Sequence, residues 1–220
     1  MQDRIDVSKA ARGAGMLEAR EIVFAYGRGR DILKGFNMSV KAGERVALVG
    51  PSGCGKSTLA QILAGMLRPK SGEVTIDGKP LPKKGFRPVQ LIYQHPEKAV
   101  NPRLKLGKTL TEASSPDDAL LAALGIEKAW MDRYPAELSG GELQRFCIAR
   151  ALAPETRFII ADEVSTMLDV ITQAQIWELL CDVVSARGLG LIAVTHSAAL
   201  AERVSERIIT FDDKNSPPIK

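Results

Sequence analysis

Eight consecutive residues, Gly50-Pro51-Ser52-Gly53-Cys54-Gly55-Lys56-Ser57, carry the most specific chemistry in the chain. Glycines at 50, 53 and 55 let backbone N–H groups turn inward around an anion. Lys56 can reach the β- and γ-phosphates of a nucleotide, and the Ser57 hydroxyl can ligand Mg²⁺. Thr58 is counted with the same cradle, and Cys54 supplies mainly its backbone. The flanks agree: an apolar strand runs into the loop and an amphipathic helix leaves it, adding the partial positive charge of its N-terminus. A bare glycine-rich turn would need none of these features together. A nucleoside triphosphate with Mg²⁺ is the ligand expected.

Such a cradle needs a carboxylate at a strand end to complete the metal site. Phe158-Ile159-Ile160-Ala161-Asp162-Glu163 supplies it: an apolar run reads as a buried strand, and Asp162 stands where that strand leaves the sheet. Asp162 is the expected magnesium ligand. Glu163 is the expected general base, or positioner, of an attacking water.

The elements that hold these groups can be read from periodicity. Leu17 to Tyr26 and Ile32 to Val40 alternate as strands, and Arg45 to Val49 is a short apolar strand. Ser57 to Leu67 has helical spacing, with Leu59, Ile62, Leu63 and Met66 on one face, and Pro69 and Gly72 are expected to stop it. Glu73 to Ile76 and Val89 to Tyr93 read as strands. Strands at Arg157 to Ala161, Leu189 to Thr195 and Ile208 to Phe211 alternate with helices at Thr172 to Ala186 and Ser197 to Val204. The fold class expected is α/β: a mainly parallel sheet of the P-loop NTPase (RecA-like) kind, an antiparallel N-terminal flank, and an inserted helical subdomain over about 95–153. Residues 1–15 lack periodicity and read as a flexible tail, leaving 16–220 as one nucleotide-binding domain.

Composition narrows the class. Hydrophobic residues are 45% and charged residues 25% of 220, enough to build a core and too apolar for disorder. No apolar run reaches the roughly 18 residues needed to cross a bilayer. Met1-Gln2-Asp3-Arg4 lacks the pattern of a secretory signal, so a soluble, cytosolic chain is expected. Cys54, Cys147 and Cys181 are too far apart for a metal rhythm. The net charge of +4 is dispersed, so no nucleic-acid partner is expected.

Leu138-Ser139-Gly140-Gly141-Glu142, upstream of the Asp162 strand, resembles the signature of ABC ATPases, usually written LSGGQ. Physically it is a second small-residue helix start, a ready anion site. The resemblance covers about residues 16–212 and implies ATP, with Mg²⁺, as the cofactors. It implies that Ser139, Gly140 and Gly141 contact the γ-phosphate held by a partner's P-loop, so that the site is completed by two subunits. Tyr26 matches the aromatic residue that stacks on adenine, although a strand-end tyrosine packed on the sheet is a competing reading. Gln94 matches the Q-loop glutamine that approaches Mg²⁺ and water, and His196 the H-loop histidine that contacts γ-phosphate. Asp169 matches the D-loop aspartate at the dimer interface, with a helix N-cap as its alternative role. Glu142, Val164 and Met167 depart from the family pattern. Glu142 adds a negative charge near the partner's nucleotide.

His95 to Arg103, ending Asn101-Pro102-Arg103, looks like the segment found in importers of the dipeptide, oligopeptide and nickel class. Peptide-class members usually carry a longer C-terminal extension, so the nickel or metal-chelate branch is favoured. The resemblance then implies a second ATPase subunit, identical or paralogous, and integral membrane permease subunits. It also implies indirect contact with a solute-binding protein and a peripheral place on the cytoplasmic side of the inner membrane. An exporter, a mechanotransmission complex, or a soluble ABC ATPase acting on nucleic acid or ribosomes are the alternatives.

Overall fold

The computed structural model describes residues 15–112, 118–164 and 169–211. Alternating burial produces the first strands: β1 (Met16–Phe24) and β2 (Leu33–Lys41) pair antiparallel and bury every second side chain over most of their length. Strand β4 (Ser71–Ile76) pairs with the other edge of β1, and a two-residue strand β5 (Lys79–Pro80) follows, giving an antiparallel sheet ordered β2-β1-β4-β5. The antiparallel flank is therefore larger than the two strands expected, because β4 joins it.

The second sheet is wholly parallel and ordered β6-β7-β8-β3-β9. Its strands are β3 (Arg45–Val49), β6 (Val89–Ile92), β7 (Phe158–Asp162), β8 (Gly190–Thr195) and β9 (Arg207–Thr210). Both central strands, β7 and β8, are buried along their whole length, as an apolar run covered on two faces requires. Side chains alternate between two cores. Ala47, Ile159, Ala161, Leu191 and Ala193 face a cluster shared with the helices α2–α6, while Val46, Leu48, Phe158, Ile160, Ile192 and Val194 face the antiparallel sheet and α1.

Helix α1 (Lys56–Leu63) is shorter than its periodicity predicts. Gly65 adopts φ 69°, and its N–H bonds to Ile62 O while that of Met66 bonds to Gln61 O, a Schellman stop four residues before Pro69. Met66 is consequently exposed rather than part of the apolar face. Gly72 stops no helix either. It lies in β4 at φ 85°, where a Cβ would sit 2.3 Å from the carbonyl oxygen of Glu21 at a β1 bulge.

Between β6 and β7 the described residues form short helices, α2 (Leu106–Thr111), α3 (Asp118–Ala123) and the longer α4 (Gly140–Ala151), with one 3₁₀ turn before α2 and two between α3 and α4. Leu106, Leu110, Leu120, Leu124, Trp130 and Phe146 form their shared core. Helix α5 (Val170–Arg187) and α6 (Ala198–Val204) complete the parallel crossovers. Among the described residues no helix is long and apolar enough to cross a membrane. Residues 1–14 of the expected tail, and Met167, lie outside the described residues.

Candidate functional site

Strand β3 ends at Val49 and the chain turns at Gly50, packed so closely on the last strand that a Cβ would lie 2.2 Å from Phe211 O. Gly53 at φ 79° and Gly55 at φ 109° carry the loop around to α1, with Pro51, Ser52 and Gly53 exposed at its crest and Cys54 buried beneath. Left-handed backbone of this kind strains any residue with a Cβ. Lys56 is only 4% exposed, and its ammonium donates to Gly50 O at 2.7 Å and Pro51 O at 2.8 Å. A cation is thus fixed inside a ring of backbone at a helix start, an arrangement suited to an anion such as phosphate.

Parallel pairing brings the carboxylates to the same end of the sheet. Asp162 closes β7 opposite Val194 of β8. It is buried, and its Oδ1 accepts the Ser57 hydroxyl at 3.2 Å. Burial pushes the Asp162 carboxyl above its ordinary range; the Ser57 hydrogen bond and the Lys56 charge work against that shift, and the neighbouring Glu163 adds to it. A hydroxyl and a buried carboxylate form a hard oxygen pair of the kind Mg²⁺ takes with phosphate oxygens and waters, so these residues fit that ion.

Glu163 stands at φ 48°, with its N–H held by Val194 O at 3.0 Å. Left-handed backbone at a non-glycine residue stores about 1–3 kcal/mol. The turn sends the Glu163 carboxylate out of the sheet, where Oε1 lies 3.4 Å from Nδ1 of His196, the residue just past β8. Tyr26 follows β1; it is 55% exposed, meets Phe24 edge-on, and its hydroxyl lies 3.4 Å from Thr58 Oγ1 of α1. Tyr26 and Asp162 thus meet the start of α1 at Thr58 and Ser57, and Glu163, next to Asp162, meets His196.

Gln94 follows β6 and is half-buried. The backbone on either side of it is tied to α4: Gln144 Nε2 donates to Tyr93 O at 3.2 Å, and the Cys147 thiol to Pro96 O at 3.7 Å. Ser139, Gly140 and Gly141 open α4, and the hydrogen bonds of Ser139 turn inward. Its N–H donates to Glu142 Oε2 at 2.7 Å and its Oγ accepts the Glu142 N–H at 3.3 Å, a reciprocal capping box. These bonds hold the Glu142 carboxyl below its ordinary range. Read from sequence as a departure, Glu142 is the reciprocal half of that cap, and the Ser-x-x-Glu spacing was the signal for it. Asp169 is the N-cap of α5, accepting from Ile171 N, Thr172 N and Thr172 Oγ1 at 3.1, 3.0 and 2.6 Å. Beside it, Val170 and Ile171 are 80% and 72% exposed, an apolar pair that the sequence reading passed over.

The ABC transporter family model matches residues 33–166, which run from β2 through the P-loop and signature to the end of β7. This chain belongs to the ABC transporter ATPase family. Among curated ABC relatives, the nickel import ATP-binding protein NikE of Rhodospirillum rubrum is 38% identical over 203 residues, 84% of this chain and 73% of that protein. NikE of Brucella suis biovar 1 is 39% identical over 215 residues, 89% of this chain and 80% of that protein. Solved ABC structures share the fold. The dimeric ATP-binding cassette MJ0796 in a post-hydrolysis state bound to ADP and Pi superposes with a TM-score of 0.77 at 28% identity, covering 92% of this chain and 97% of that one. CbiO1 from Clostridium perfringens, part of the ABC transporter complex cbiONQ, gives 0.76 at 26% identity over 92% of this chain and 87% of that one.

Proposed function

We propose that this chain is the energy-supplying subunit of a nickel or metal-chelate importer, working as a pair of ATPase subunits beneath a membrane permease. The observation that carries the solute class is the 37–39% identity to nickel import ATP-binding proteins over most of the chain. This chain covers 73% and 80% of two of those relatives, so length does not separate the metal from the peptide branch.

In this reading the loop from Gly50 to Thr58 holds the triphosphate of ATP, with Lys56 leaving its carbonyl partners for the phosphates, and Tyr26 stacks on the base. Ser57, Asp162 and Gln94 would hold Mg²⁺, which would offset the negative charge of the phosphates during transfer. Glu163, set outward by its left-handed turn, orients the attacking water and takes its proton. His196 keeps that carboxylate in place and meets the γ-phosphate. Ser139, Gly140 and Gly141 serve the nucleotide of a second subunit, and Asp169 lies at the same interface. A ligand shifts an equilibrium only through unequal affinity for its two states. ATP therefore closes the pair by binding the closed form better, and loss of the γ-phosphate lets it reopen.

In this reading the permease meets the Gln94 loop. A cleft of about 680 Å³ lies at the start of β6 and the C-terminal end of α4, lined by residues that include Met66, Phe86, Arg87, Gln90, Glu112 and Arg150. Strand β6, whose start lines the cleft, runs on towards Gln94, and α4 reaches the cleft through Arg150. Reconstitution of this subunit with its permease in vesicles, with paired ATPase and Ni²⁺ uptake measurements, tests the proposal. Substitutions in Pro96 to Arg103 should spare ATP binding and uncouple hydrolysis from uptake. ATP-dependent efflux, or hydrolysis stimulated by the permease with no metal or metal-chelate entering, would overturn it.

A further inference from the structure

Gln144 is a polar side chain with 2% exposure, the fifth residue of α4, the helix capped by Ser139. Its amide donates to the carbonyl of Tyr93, the residue immediately before Gln94. Because a peptide unit is planar, the Tyr93 C=O and the Gln94 N–H turn together, and fixing one fixes the direction in which Gln94 leaves the strand. Tyr93 is anchored a second time, through its hydroxyl to Met66 Sδ at 2.8 Å. One turn further along the same face of α4, the Cys147 thiol donates to the carbonyl of Pro96. Burial pushes that thiol up to about 12, so it stays protonated and remains a donor. The backbone that carries Gln94 and His95 is thus stitched at both ends to α4.

We propose that Gln144 is a positioning residue for Gln94, holding the Q-loop and the signature helix as one body so that a displacement of either is felt by the other. The proposal rests on the reading of Gln94 as a group acting at the metal and the attacking water. Within that reading it gives α4 two duties: its first residues face the second subunit's nucleotide, and its next turn aims the glutamine of its own. Gln144 itself touches no reacting atom.

The test is a double-substitution cycle on the full chain, using steady-state phosphate release and titration with a fluorescent ATP analogue. Gln144→Met keeps length and removes the donor. Turnover should fall by about 5–15-fold, the worth of one buried hydrogen bond, with nucleotide affinity changed less than about twofold. Gln94→Ala should fall further. The double variant should match Gln94→Ala, because a residue acting only through Gln94 has nothing left to position. Losses that multiply in the double variant, turnover of Gln144→Met equal to wild type, or an equal loss of affinity and turnover would each overturn the proposal. Should Gln144→Met not fold, Gln144→Asn keeps an amide one methylene short and is read in the same cycle, with a smaller loss expected. If Gln94→Ala alone turned over normally, the reading of Gln94 would fail, and this inference with it.

Discussion

Replacing Asp162 by Asn separates what this carboxylate does for chemistry from what it costs the fold. The side chain is 7% exposed and accepts from Ser57 at 3.2 Å, and burial raises its pKa. The folded state therefore binds this proton more tightly than the unfolded one. Stability associated with the group is fully present below its ordinary value of 3.8 and is lost as pH rises through the raised folded value. At neutral pH the ionised carboxylate sits in the fold at a penalty, and an amide of the same shape removes it while still accepting from Ser57. Asp162→Asn should stabilise the nucleotide-free protein by about 1 kcal/mol, the common size of a single stabilising change. For a domain of 220 residues that is about 2–4 °C in Tm. The gain should shrink as pH is lowered towards the ordinary carboxylate range. The same change removes an anionic ligand, so Mg²⁺-dependent ATPase should fall by at least about 10²-fold, and Mg²⁺ with a non-hydrolysable ATP analogue should raise the Tm of wild type much more than that of the variant. Scanning fluorimetry over a pH series, with phosphate release alongside, reads both effects. A lower Tm at neutral pH, or equal Mg²⁺-nucleotide stabilisation of both proteins, would refute the argument.

Three further outcomes follow from the site. Lys56→Ala removes the ammonium that bridges Gly50 and Pro51, and ATPase should drop by at least about 10²-fold; rates within threefold of wild type would contradict its place at the phosphates. Glu163→Gln should bind ATP yet turn over very slowly, trapping an ATP-bound pair visible by size exclusion with ATP and Mg²⁺, and normal turnover would remove Glu163 from the mechanism. Tyr26→Ala should weaken ATP binding by roughly tenfold, as for one lost aromatic stack. Tyr26→Phe should be nearly neutral, because the hydroxyl reaches Thr58 only at 3.4 Å; equal losses in both variants, measured by nucleotide titration, would point to the hydroxyl instead.

The parts of the fold legible in the sequence are those whose signals are local. Strands β3, β7 and β8 are short apolar runs, and the glycines at 53 and 55 announce the turn that follows β3. Asp162 and Glu163 could be placed because a fully buried strand must end before a charged pair. Pairing was less readable: nothing in Ser71–Ile76 says that β4 adds to β1 rather than to the parallel sheet, since its partners lie more than 45 residues away. The end of α1 was misplaced because Pro69 is a louder breaker than Gly65, although only Gly65 takes up the left-handed turn. Gln144 could not be found at all from sequence. Its spacing in α4 is that of a core position, and its meaning depends on Tyr93, 51 residues earlier.

The capping box between Ser139 and Glu142 has a kinetic consequence. Helix starts left open carry unsatisfied N–H groups and fray, so a partner arriving there must order them as it docks. Here the first turn of α4 is closed by its own side chains, and α4 is held to the core along Leu143, Phe146 and Cys147. A surface meeting this helix end meets a finished shape, with the conformational entropy of that turn already spent in folding. Association at this face should then be governed by encounter and charge, with rates that respond to ionic strength more than to any slow local rearrangement.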